Sequence, residues 1–78
     1  MTYEQKQQRI KEEIGIFPAT FNLRNFRGAF RISAERSFIR DDQSVALYLQ
    51  REDESLGWVD FAKTSVTELF SQIVRGES

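Results

Sequence analysis

Seventy-eight residues with no cysteine, no histidine and a formal net charge of −1 describe one small domain, 1–78, without a disulfide or a thiolate metal site. Without histidine the chain also lacks the commonest general base, the commonest metal ligand and the usual switch near neutral pH. A core of this size is thin, and its stability is expected on the order of 3–5 kcal/mol.

The polar start Met1-Thr2-Tyr3-Glu4-Gln5-Lys6 does not read as a signal peptide, and no apolar run reaches the length of a membrane span. A cytoplasmic protein is expected. Its charge is unevenly spread. Residues 20–40 hold five arginines and one glutamate, net +4, whereas residues 41–60 hold six acids and one arginine, net −5. Such asymmetry either solvates strand faces and turn tips or marks a surface that binds.

Thr2 caps a first helix, with Gln5 at the capping-box position and Tyr3, Ile10 and Ile14 recurring at about helical spacing up to Gly15. Pro18 breaks the pattern and holds Phe17 extended. Residues 21–34 read as a first strand. Phe26, Gly28, Phe30, Ile32 and Ala34 share one parity and Phe21 and Leu23 the other, which requires a bulge near Asn25 or a bend at Gly28. Ser37-Phe38-Ile39-Arg40 reads as a second strand or the end of a long hairpin, and Asp41-Asp42-Gln43 as a turn.

Two alternating runs, from Ser44 to Arg51 and from Trp58 to Lys63, then flank an acidic loop and predict a β-hairpin. Ser65 and Glu68 form a second capping-box pattern, which opens a helix striped by Val66, Leu69, Phe70, Ile73 and Val74 and stopped by Gly76. The expectation is an α+β fold, an antiparallel meander of three to four strands flanked by an N-terminal and a C-terminal helix. Its core is expected from Phe26, Phe30, Ile32, Val45, Leu47, Leu49, Val59, Phe61, Leu69, Phe70 and Ile73.

Chemistry is sparse in this pattern. Asp41-Asp42 and Glu52-Asp53-Glu54 sit in turns, where exposed carboxylates make poor general acids. Glu52-Asp53-Glu54-Ser55 lacks the ligand spacing of a calcium loop, and the four glycines stand apart rather than forming a phosphate loop. The chain therefore reads as a non-enzyme with no cofactor and no catalytic or metal residue.

What remains is a surface. If Phe26, Phe30 and Val45 point inward, strand alternation turns Arg27, Arg31, Tyr48, Gln50, Trp58 and Asp60 outward together. Arginine, tyrosine and tryptophan dominate binding hot spots. This face is expected to bind a protein, unless the N-terminal helix covers it. The alternative is nucleic acid, with Tyr48 and Trp58 stacking on bases, although a pI of 5.4 and the acidic turns oppose phosphate. The helix–strands–helix order matches double-stranded-RNA-binding domains, but Ser65-Val66-Thr67-Glu68 has the wrong charge for their last helix. An edge strand over residues 21–34 could pair with a second copy to give a homodimer.

Leu47-Tyr48, followed by Trp58-Val59-Asp60-Phe61-Ala62-Lys63, resembles small orphan proteins carried by phages and plasmids. The resemblance spans roughly the last two-thirds of the chain. It carries no assigned chemistry and no site residue. It implies an inhibitor or regulator of host machinery, and so favours protein binding over catalysis.

Overall fold

The first helix forms where the sequence places it, because its start is fixed locally. In the computed structural model, which describes residues 2–74, α1 spans Tyr3–Ile14. Thr2 Oγ1 accepts from the Gln5 amide at 3.2 Å, and Gln5 Oε1 accepts from the Thr2 amide at 2.9 Å, so the capping box is complete. The strands are β1 (Asn22–Leu23), β2 (Phe30–Ile39), β3 (Val45–Asp53) and β4 (Gly57–Thr64), followed by helix α2 (Val66–Gln72) and strand β5 (Ile73–Val74). β2, β3 and β4 form an antiparallel sheet in that order, and β1 pairs with β5 in a small second sheet. This is the expected α+β order, with a two-stranded addition that local sequence does not announce.

Residues 21–34, expected as one strand, are two strands separated by a loop. The opposite parity of Phe21 and Leu23 comes from this break rather than from a bulge. Phe21 and Phe30 exchange reciprocal backbone hydrogen bonds of 2.9 and 2.8 Å, which closes the intervening segment on itself. Asn22 Nδ2 donates to the Gly28 carbonyl at 2.8 Å, and Gly28 adopts φ +96°, a conformation that disfavours any residue with a Cβ. Residues 21–34 therefore do not form one continuous edge: Asn22 and Leu23 pair with Val74 and Ile73, and β2 is the edge strand of the three-stranded sheet.

The C-terminal helix is shorter than its apolar stripe. Ser65 Oγ accepts from the Glu68 amide at 3.2 Å, and the return contact runs from Ser65 Oγ to Glu68 Oε1 rather than from the Ser65 amide. The helix stops at Gln72, whose carbonyl accepts from the Arg24 amide at 2.9 Å. Ile73 and Val74 are β-branched, so they suit the extended conformation that pairing with β1 imposes. The expected stop at Gly76 lies outside the described residues.

Both helices pack on one face of the sheet. Ile10 of α1 and Leu69 of α2 join Phe30, Val45, Leu47 and Leu49 in one buried cluster, with Phe17, Phe21, Leu23 and Ile73 around it. Of the expected core, Ile32, Val59 and Phe61 are only partly buried, and Phe26 and Phe70 are exposed over much of their surface. Phe26 rests edge-on against Phe30 and Phe61, and Phe70 lies 4.7 Å from Phe17, centroid to centroid.

Two turns depend on aspartate. Asp42 Oδ1 accepts from the amide and the hydroxyl of Ser44, and Asp53 Oδ1 accepts from the amides of Ser55 and Leu56. These bonds hold both carboxyl groups below their ordinary value of 3.8. A carboxyl whose folded pKa is depressed contributes stability above its unfolded pKa and loses it as pH falls through the folded one. The urea midpoint should therefore hold steady down to about pH 4 and then fall. In a variant combining Asp42→Asn with Asp53→Asn, which keeps the acceptor oxygens but does not titrate, the acid fall should be smaller. An unchanged acid fall would show that neither turn contributes to it.

Candidate functional site

The outer face of the sheet is shaped by two breaks in strand register. Between β3 and β4, Gln50 faces Asp60 while Leu49 faces Ala62, so Phe61 is an extra residue. This bulge turns Phe61 toward Phe30, at 5.0 Å between ring centroids, and sets Lys63 opposite Tyr48. Between β2 and β3, Ser33 faces Tyr48 while Phe38 faces Ala46. Five steps on β2 thus match two on β3.

Ser37 fills this second break. It is 5% exposed, and its hydroxyl accepts from the Tyr48 amide at 3.0 Å and donates to the Ser33 carbonyl at 2.7 Å. The side chain relays a cross-strand bond that the displaced backbone cannot make directly. Displacement also brings Arg36 over the face. Its Cζ lies 5.0 Å from the Tyr48 ring centre and its Nη2 3.2 Å from Asp60 Oδ2.

A hydrogen-bond chain crosses all three strands. Arg31 Nε donates to Gln50 Oε1 at 2.9 Å, and Gln50 Nε2 donates to Asp60 Oδ1 at 3.2 Å. Asp60 therefore receives Gln50 on one oxygen and Arg36 on the other. Arg31 also caps Trp58, with Cζ 4.5 Å from the ring centre, and Lys63 Nζ lies 5.7 Å from the Phe38 ring centre. Three cations thus sit over three aromatic rings, an arrangement favoured by the negative face of each ring. Asp60 and Glu52, which faces Trp58, supply the acids of this layer.

Arg31, Tyr48, Gln50, Trp58 and Asp60 come together as strand alternation predicts. Arg27 does not, because β2 begins only at Phe30, and Arg27 lies exposed in the preceding loop. Arg36, Lys63 and Phe38 belong to the face and were not expected there, because each reaches it through a register break. The one sequence signal is Ala34-Glu35-Arg36-Ser37, where apolar alternation lapses between two runs that obey it.

α1 leaves this face open, since Ile10 packs on the opposite side with Leu47 and Leu49. Tyr48 and Trp58 are half-buried beneath their guanidinium groups rather than bare. The layer provides aligned donors, aromatic edges and one doubly held carboxylate. Among the described residues no group of three or more His, Cys, Asp or Glu side chains converges as a metal site, and no helix is long and apolar enough to cross a membrane. Comparisons with protein-family models, curated proteins and solved structures give no match.

Proposed function

We propose that the protein is a non-enzymatic binding module that holds a protein partner on the outer face of its sheet. The observation behind this reading is the cross-strand chain Arg31–Gln50–Asp60–Arg36, which locks two guanidinium groups over Trp58 and Tyr48. Long side chains normally lose about 0.5–1.5 kcal/mol each in ordering when they bind, and here much of that cost is met before the partner arrives. Arginine and the large aromatics are also the residue types that concentrate binding energy. The likeness to phage and plasmid orphan proteins adds the role of inhibitor or regulator of a host complex, acting in the cytoplasm.

One observation favours nucleic acid instead: guanidinium planes stacked on aromatic rings can in turn stack on bases. The pI of 5.4 and the six acids of residues 41–60 weigh against it. Trp58 is the only tryptophan and reports directly on this face. Its emission should stay unchanged when single-stranded DNA, duplex DNA or RNA is added at physiological salt. Immobilised wild-type protein should retain a partner from host extract, and Arg31→Glu should lower that retention at least tenfold while leaving the circular dichroism spectrum intact. Salt-sensitive quenching by nucleic acid would replace the protein reading with the nucleic-acid one, and equal retention by Arg31→Glu would remove this face from the contact.

A further inference from the structure

An apolar groove of about 640 Å³ runs between the α1–β1 connection and the end of α2, and shares no residue with the outer sheet face. Three exposed large apolar side chains, Ile16, Phe70 and Val74, line it. Past Phe70 it continues into a second depression lined by Arg24. Among the described residues the one ion pair is Arg36–Asp60, so Arg24 has no carboxylate partner there. Concentrated apolar exposure beside a cation without a carboxylate partner among the described residues fits a ligand that presents an apolar side chain next to an acid.

The chain carries such a feature itself. Leu56, at the β3–β4 turn, is 74% exposed and follows Glu52-Asp53-Glu54. The turn is rigidly built: Asp53 Oδ1 holds the amides of Ser55 and Leu56 at 2.8 and 3.0 Å, and Gly57 takes φ +80°. The backbone that carries Leu56 is therefore fixed before any contact.

We infer that the β3–β4 tip of one copy docks in the groove of a second copy, with Leu56 against Phe70 and Val74 and Glu54 facing Arg24. Tip and groove lie at different places on each chain, so the contact either closes reciprocally into a two-fold dimer or extends head-to-tail. The groove shares no residue with the outer sheet face, and the tip adjoins that face at Glu52 and Trp58.

Sedimentation velocity from micromolar to millimolar concentration tests this. The mass of the wild type should rise with concentration to that of a dimer or beyond, and less so at high salt. Leu56→Asp and Val74→Asp, each at an exposed position, should weaken self-association about tenfold or more. A mixture of the two variants is decisive. Leu56→Asp keeps an intact groove and Val74→Asp an intact tip, so the mixture should form one-to-one dimers and nothing larger. Arg24→Glu should weaken assembly, and adding Glu54→Arg should restore it. A wild type that stays monomeric throughout, a dimer indifferent to Leu56→Asp, or a mixture that stays monomeric would each overturn the inference.

Discussion

Phe30→Ala is expected to abolish the cooperative urea transition. Phe30 is fully buried and belongs to the core cluster that holds Ile10 of α1 and Leu69 of α2. Its ring packs edge-on against Phe61 at 5.0 Å and Phe26 at 6.2 Å, and its backbone closes the 21–30 segment onto Phe21. Truncating a buried phenylalanine to alanine costs about 3–5 kcal/mol, through lost transfer energy and the cavity left behind. That equals the whole stability, on the order of 3–5 kcal/mol, expected of a cysteine-free domain this small. Phe26→Ala is the control, since it removes one of the same aromatic contacts from an exposed position. Phe26→Ala should stay folded with a lowered midpoint. A Phe30→Ala protein with a near wild-type midpoint would mean that the core is centred elsewhere.

Ser37→Ala carries the second large effect. The substitution removes one hydroxyl but leaves two part-buried backbone groups without this partner, the Tyr48 amide and the Ser33 carbonyl. An orphaned donor or acceptor costs about 1–3 kcal/mol when fully buried and less when part-buried, and for a domain of this size each kcal/mol lowers Tm by roughly 4–8 °C. The Tyr48 amide should also exchange with solvent faster, because its acceptor is gone. Ser33→Ala separates this relay from a general loss of serine. Its hydroxyl accepts only an exposed Arg36 amide at 3.3 Å, and its backbone carbonyl survives the substitution. A Ser37→Ala variant no less stable than Ser33→Ala would show that the bulge holds without the relay.

Local signals in the sequence resolve where the structure is also local. The Thr2–Gln5 capping box, the Asp42 turn and the hairpin from Val45 to Thr64 are built from residues a few positions apart, and the sequence reads them correctly. Long-range pairing overrides the rest. Leu23 pairs with Ile73 across most of the chain, which turns the end of a well-striped helix into β5 and splits residues 21–34 into β1 and a later strand. No periodicity within residues 21–34 or 66–74 encodes that meeting. The outer face was legible wherever strict alternation holds, from Arg31 through Gln50 to Asp60. It was misread where a register break intervenes. Arg27 precedes the strand rather than lying on it, and Arg36 reaches the face because Ser37, rather than a backbone group, completes the ladder beside it.

The outer face is expected to bind and the inner face to fold the chain. Trp58→Ala tests this most directly, through partner retention and urea unfolding measured on the same preparation. Trp58 is half-buried under Arg31 and lies outside the core cluster. The variant should therefore keep a single cooperative transition while retention falls at least tenfold, as expected when a central aromatic of a contact surface is removed. Loss of the transition would place Trp58 in the folding core, and undiminished retention would place the contact on another surface; either result contradicts this expectation.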